Sequence, residues 1–360
     1  MRYPKRAAGH LAALCSLVLL GACAKSGDAP APAAASQAGT TAGEVNLYTT
    51  REPALVQPLL DAFTADTGIK VNTVLLKDGL TERLAAEGER SPADVLMTVD
   101  TGRLLDVVEA GHTQAVKSPV LEAAIPAHLR SPEGQWFALS LRDRVVYADK
   151  DLDLTGFTYE DLADPKWKGR VCIRSGQHPY NTSLFAAMIA HDGAEKTEVW
   201  LRGVKANLAR KAAGGDRDVA RDILAGICDI GVANAYYVGR MKNAEEGSEQ
   251  RSWGDAIQVV RPVFASAADT GTHVNISGAA VARHAPNHDN AVKLLEYLVS
   301  DSSQSLYARA NYEYPVKPGV ALDPVVASFG PMKVDPLPLA EVVANRKLAS
   351  ELVDKVGFDN

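Results

Sequence analysis

Short β-rich runs alternate with amphipathic stretches along this chain, and that alternation limits the fold more than any figure of composition. Residues 45–50 (Val-Asn-Leu-Tyr-Thr-Thr) read as a strand, residues 53–67 place Leu55, Leu59 and Phe63 at helical spacing, and Gly68 ends the run. The pattern continues with strand 69–76, helix 80–86, strand 93–99 and helix 102–110. Strands and helices of this length in alternation imply βαβ units and a largely parallel sheet. The pattern resumes with strands 144–148, 170–174 and 228–233, and with helices 182–191, 195–208 and 218–225. Residues 291–300 and 304–310 read as two more helices. Residues 140–147 read as a strand crossing between the two blocks and residues 259–265 as the return, which makes two α/β lobes around a cleft. Clefts between lobes are preferred sites for small ligands.

The first residues read as an address. Arg2, Lys5 and Arg6 precede an apolar run over residues 11–20, followed by Leu20-Gly21-Ala22-Cys23. A basic segment, a short apolar segment and small residues before a cleavage point are the signature of a secretory signal. The run falls short of the ~20 apolar residues a spanning helix needs. Cys23 after Leu-Gly-Ala resembles a bacterial lipobox, in which that cysteine is lipidated. Residues 23–43, rich in Ala, Pro, Ser, Gly and Thr, read as a flexible tether. Removal of Arg2, Lys5 and Arg6 moves the formal charge from −6 to −9. So acidic a chain lacks the basic surface that nucleic-acid binding needs. Of the four cysteines, Cys172 and Cys228 remain. In an oxidising compartment a disulfide is the leading expectation, with two buried thiols as the alternative. Nothing near them has zinc-site spacing.

The strongest local signal for chemistry is Asn234-Ala235-Tyr236-Tyr237, just past the apolar run ending at Ala233. Ligands of α/β sheets bind beyond the carboxyl ends of strands. A phenol, with a reference pKa near 10, ligates poorly while protonated. A hard trivalent cation can displace that proton and take the anionic oxygen, although a Tyr-Tyr pair taken alone is more often core or surface aromatic packing. Enzyme signatures are missing: there is no Gly-x-Ser-x-Gly, no His-Glu-x-x-His, no P-loop and no Gly-x-Gly-x-x-Gly after the first strand.

Several stretches taken together resemble the ferric-ion-binding proteins of bacterial iron ABC transporters. They are Ser91-Pro92-Ala93-Asp94-Val95, the run from Tyr159 through Asp164-Pro165-Lys166-Trp167-Lys168-Gly169, Thr270-Gly271-Thr272-His273-Val274-Asn275-Ile276-Ser277-Gly278, Tyr312-Glu313-Tyr314-Pro315 and the Tyr236-Tyr237 pair. The resemblance implies an α/β, two-lobed periplasmic-binding-protein fold of the type II kind, with Tyr236 and Tyr237 as Fe³⁺ ligands. It adds Tyr180, in the loop Ser175-Gly176-Gln177-His178-Pro179-Tyr180-Asn181 after strand 170–174. Many relatives place His, often followed by Tyr, at the first strand's exit; here Arg51-Glu52-Pro53 stands instead. Glu52 is therefore either an oxygen ligand closing the site from the first lobe or only the start of a helix. Some relatives bind a synergistic anion, and the matching positions are Ser175, Gly176, Gln177 and Asn234. Asp216 falls at another such position, where a carboxylate would repel an anion. Arg51, Arg142 and Arg217 are alternative cationic partners.

The reading assigns 1–22 to a signal peptide, 23–43 to the tether, 44–142 with 266–318 to the first lobe and 143–265 with 319–360 to the second. It implies a monomeric, lipid-anchored, extracytoplasmic binding protein that carries Fe³⁺ to the permease of an iron importer. The anchor places it in the periplasm, or on the cell surface of a Gram-positive cell. The competing expectation is the same fold around an oxyanion, a polyamine or a sugar.

Overall fold

The computed structural model describes residues 43–266 and 269–360; the expected signal, the tether up to residue 42 and the Cys23 lipidation point lie outside the described residues. The strands are β1 Glu44–Thr49, β2 Lys70–Leu75, β3 Val95–Thr98, β4 Thr113–Gln114, β5 Phe137–Asp149, β6 Val171–Cys172, β7 Ile230–Asn234, β8 Ile257–Val260, β9 Val274–Ala282 and β10 Tyr314–Pro315. They run in the order β2-β1-β3-β9-β5-β7-β6, with β4 on β9 and with β8 and β10 on β5.

The opening βαβ unit forms as its pattern predicts. Helix Pro53–Thr67 buries Val56, Leu59, Leu60 and Phe63 and stops at Gly68, whose φ of 72° lets its amide reach Thr64 O. A left-handed stop of this kind favours glycine, which has no Cβ to clash. Only the flanks of the sheet are parallel, in the pairs β1–β2, β1–β3 and β6–β7. The largely parallel sheet expected from the alternation is thus a mixed one. β9 enters the first lobe from the second and so runs antiparallel to both β3 and β5.

β5 is the crossing expected over residues 140–147. Its first half, Phe137 to Asp143, pairs with β9; from Arg144 onward it pairs with β7 and then β8. All but the last of its 13 residues are buried. The return differs from expectation. The strand expected over 259–265 ends at Val260, still paired with β5 in the second lobe. Pro262 follows, and a proline has no N–H to continue a ladder. Beyond it the described residues make isolated bridges, Val263 with Thr158 and Thr272 with Val334, before β9, where the Arg144 amide donates to His273 O at 3.0 Å. β9 (Val-Asn-Ile-Ser-Gly-Ala-Ala-Val-Ala) is a strand the sequence reading did not predict, because Gly and Ala carry little β propensity. Small residues are required there: a Cβ on Gly278 would lie 2.7 Å from Leu104 Cδ2 and 2.9 Å from Phe137 O.

Each lobe has its own core. One is built on Val45, Leu47, Phe63, Val95, Leu139, Ile276 and Leu294, the other on Val146, Phe185, Trp200, Val232 and Phe264. The segment after residue 319 serves both: Val326 and Leu339 pack in the first core, and Val342, Leu352 and Phe358 in the second. Among the described residues no helix is long and apolar enough to cross a membrane.

Cys172, at the end of β6, and Cys228, just before β7, form a disulfide across a Cα–Cα distance of 5.9 Å. It closes a loop with a sequence separation of 56. On chain-entropy grounds, opening that loop costs about 4 kcal/mol. Reduction, or Cys172→Ser with Cys228→Ser, should therefore lower the urea midpoint markedly. Peptide mass spectrometry of unreduced protein should recover the two cysteines linked; finding both freely alkylated would remove the bridge.

Candidate functional site

The carboxyl ends of β1, β6 and β7 point toward the junction of the lobes, and each delivers polar side chains there. Tyr236 and Tyr237 open helix Tyr236–Lys242 one residue after β7. Successive residues in a helical turn are about 100° apart rather than on opposite faces, so the two rings lie together, with centroids 4.1 Å apart. Gly239 brings this helix close against the first lobe: a Cβ there would lie 2.4 Å from the Tyr312 ring. Tyr180 is not in a loop, as expected, but in the first turn of helix Pro179–Asp192. Pro179 suits the first helical position, where its missing N–H costs nothing. His178 caps the helix, its Nδ1 accepting from the Tyr180 amide at 3.2 Å.

These residues meet in one cavity of about 200 Å³, lined by Thr50, Arg51, Glu52, Leu55, Val99, Arg142, Tyr180, Tyr236, Tyr237, Arg240 and Glu313. The structure thus brings together the four expected ligands and two of the three expected arginines. A larger cavity of about 310 Å³ opens past Thr50 between Asp78, Glu82, Arg103 and Asp106. It contains no tyrosine, and Arg103 is engaged by Asp78 at 2.9 Å. Among the described residues no three His, Cys, Asp or Glu side chains converge as a metal cluster. Phenols are what distinguish the smaller cavity.

The charges around the phenols are of two kinds. Arg51, 2% exposed, is neutralised by Glu313 at 2.7 Å and donates to Ser277 Oγ at 2.8 Å. Arg142 is equally buried, yet it donates only to the carbonyls of Val99 and Ile276 and to the Tyr180 hydroxyl, the last at 3.4 Å. Among the described residues no carboxylate bonds it directly, although Glu313 lies close enough to act on its charge, and its guanidinium lies 5.4 Å from the Tyr180 ring centroid. Arg240 stacks 5.2 Å from the Tyr236 ring centroid. Burial, and then the neighbouring Tyr180 and Tyr237 phenols, hold Tyr236 well above its ordinary pKa, against the pull of Arg142. Burial, then Tyr180 and Asp216, push Tyr237 up as well. Both phenols therefore stay protonated at neutral pH unless something displaces the proton. Burial and the cations Arg174 and Arg144 bring His178 down to about 4, so its ring is neutral and free to accept the Tyr180 amide.

Glu52 is the N-cap residue of helix Pro53–Thr67 but makes no side-chain cap bond. Its side chain is 60% exposed at the cavity rim, 3.9 Å from Lys77 Nζ. The candidate anion contacts are placed differently from expectation. Ser175 Oγ and the amides of Gly176 and Gln177 all donate to the Asp359 carboxylate, so an internal anion already occupies them. Asn234 is turned inward, where its Oδ1 accepts from Arg144 at 3.1 Å. Arg217 lies outside the cavity, bonded to Gln250 at 3.0 Å with its guanidinium 5.9 Å from the Tyr237 ring centroid. Asp216, expected to repel an anion, is paired with Arg144 at 2.6 Å and Arg174 at 3.2 Å. Sequence reasoning missed Arg240 and did not single out Glu313. Arg240 stands three and four residues beyond the tyrosines, the spacing of one helix face; Glu313 reaches Arg51 from 262 residues away and left no local signal.

Comparison with known proteins bears on this arrangement. Residues 90–328 match the family described as bacterial extracellular solute-binding protein. Iron uptake protein A1 of Synechocystis sp. is 42% identical over 348 residues, which is 94% of this chain and 93% of that protein. A solved Bordetella ferric binding protein superposes with a TM-score of 0.84 at 74% identity, covering 88% of this chain and 100% of the other. A Trichodesmium protein solved in complex with iron and citrate ligands superposes at 0.82 with 42% identity, covering 88% and 100%.

The Arg51–Glu313 pair gives a stability test. Burial alone would raise the Glu313 carboxyl, but Arg51 and then Arg142 more than reverse this and hold it below its ordinary 4.5. Its contribution is thus complete above that value and is lost as pH falls through the lower, folded-state value. Glu313→Gln leaves a buried guanidinium without its counter-charge and should cost about 3–5 kcal/mol at pH 7. In urea titrations the gap between wild type and variant should narrow below about pH 4.5. A gap that is small at pH 7, or that does not change with acid, would show that the pair contributes little.

Proposed function

The chain belongs to the bacterial extracellular solute-binding protein family, and from that premise we propose that it captures ferric iron outside the cytoplasm and hands it to an ABC importer. The carrying observation is the convergence of three phenols on one cavity where a buried arginine, bonded to no carboxylate, supplies positive charge. Fe³⁺ is hard and trivalent, and three phenolates match both its preference for anionic oxygen and its charge. Tyr180, Tyr236 and Tyr237 are the proposed ligands. Arg142 favours the ionised form of Tyr236, and Arg240 adds a second cation over its ring.

The role proposed for Glu52 is to close the site. The tyrosines belong to the lobe that follows the crossing at Asp143–Arg144, and Glu52 belongs to the lobe before it. The lobe division read from sequence, 44–142 with 266–318 against 143–265 with 319–360, is kept in the proposal with one change: the segment from 319 to about 339 packs against the first lobe. On this reading the ion binds the tyrosines first, and closure brings in the exposed carboxylate. An exogenous anion at the site would meet Arg142 and Arg240 rather than the Ser175–Gln177 turn. Lipid attachment at Cys23, a monomeric state and the permease as partner complete the reading. No catalytic step is assigned.

Phenylalanine substitution tests the ligands, because it removes the oxygen and keeps the ring. Tyr236→Phe and Tyr237→Phe should each weaken or shift the visible tyrosinate-to-iron charge-transfer band and speed the loss of iron to citrate, with thermal stability little changed. A double variant that holds iron with an unaltered spectrum would sink the proposal.

A further inference from the structure

The turn between β6 and the helix carrying Tyr180 is built around a carboxylate from the far end of the chain. Asp359 Oδ2 accepts from Ser175 Oγ at 2.5 Å and from the Gln177 amide at 3.3 Å, while Oδ1 accepts from the Gly176 amide at 2.7 Å. Successive backbone N–H groups aimed at one point make an anion cradle. Here the chain fills the cradle itself.

The segment bearing Asp359 is held firmly enough to act as a fixed point. Phe358 is 1% exposed and stands edge-on to Phe185 at 5.7 Å. Lys205 Nζ donates to the carbonyls of Val356 and Gly357 at 3.2 and 2.5 Å. The Gln177 side chain adds a second tie, donating to Ser350 O at 3.0 Å and Asp354 Oδ1 at 2.8 Å and accepting from Ser350 Oγ at 2.7 Å. Gly176 permits the close approach, since a Cβ there would sit 2.8 Å from the Phe358 ring.

From this turn the connection to Tyr180 is short. The Ser175 carbonyl accepts from the His178 amide at 3.1 Å and from Asn181 Nδ2 at 3.0 Å, and His178 Nδ1 in turn accepts from the Tyr180 amide. The Tyr180 hydroxyl has only a long 3.4 Å bond from Arg142. Its position therefore depends on its backbone and on the packing of its ring, which stands edge-on to His178 at 4.6 Å.

We propose that Asp359 is a positioning residue for the metal: by filling the cradle of the Ser175–Gln177 turn it sets where the Tyr180 oxygen meets the ion. This rests on the iron-binding reading above. It predicts that Asp359→Ala, in the full chain loaded with ferric iron, shifts the visible band and loses iron to citrate about 10- to 100-fold more readily, the usual effect of removing an outer-shell partner. Added formate, which can refill the cradle, should restore the band. Ser175→Ala, which keeps Asp359 and removes one donor, should shift the band the same way by a smaller amount; it decides the matter if Asp359→Ala does not fold. Wild-type spectra and iron retention in the folded variants would overturn the proposal and leave Asp359 as packing only. Absence of the band from the wild-type protein would instead overturn the iron reading, and this inference with it.

Discussion

The Arg144 guanidinium lies where β5 leaves one lobe's sheet for the other. It donates to Asp216 at 2.6 Å, to Asn181 Oδ1 at 2.6 Å and to Asn234 Oδ1 at 3.1 Å, all in the buried interior. Asp216 also accepts from the Asn234 amide at 2.9 Å and pairs with Arg174. Asn181 follows Tyr180, and Asn234 ends the strand that delivers Tyr236 and Tyr237. One buried cation thus sets the relative position of two turns that are distant in sequence. Removing Asp216 would leave Arg144 charged and unpaired in the interior, a loss of about 3–5 kcal/mol. The cavity's geometry depends on this cluster more than on any contact among the tyrosines.

The same strand serves the hinge. Asp143, next to Arg144, pairs with Arg261 at 3.0 Å, and Arg261 reaches on to Phe329 O and Gly330 O at 2.7 Å each and to the Tyr314 hydroxyl. Tyr159 donates to Arg144 O and accepts from the His273 amide at 3.1 Å. The short motifs that carried the family resemblance therefore belong largely to the crossing. Their residues brace β5 and the approach to β9, while Glu313 neutralises Arg51 and Ser277 accepts a hydrogen bond from it.

Local chemistry was legible in the sequence, and long-range pairing was not. The first βαβ unit, the disulfide cysteines and the tyrosine pair follow from spacing, compartment and position past an apolar strand. The start of the Tyr180 helix was placed late because Pro179 reads as a breaker, although a proline suits the first turn. β9 was missed because its Gly and Ala residues are selected by close packing against Leu104 and Phe137. The Ser175–Gln177 turn, where the resemblance implied an exogenous anion, holds a carboxylate of the chain itself. Its occupant, Asp359, lies 184 residues from Ser175, beyond any local pattern.

Charge connects the fold to its proposed cargo. Arg142 is buried with no carboxylate bonded to it, and burial and the nearby Tyr180 phenol hold both adjacent tyrosines protonated. A trivalent cation replaces three protons with one ion of equal total charge, and Arg142 favours the phenolates this leaves. The exchange is countable. When ferric iron is delivered to the metal-free protein from a chelator in a pH-stat, with the chelator's own proton uptake subtracted, about three protons should leave per ion bound, since each ligand phenol must deprotonate. Iron bound with no net proton release would contradict the account, because the phenols could not then be its ligands.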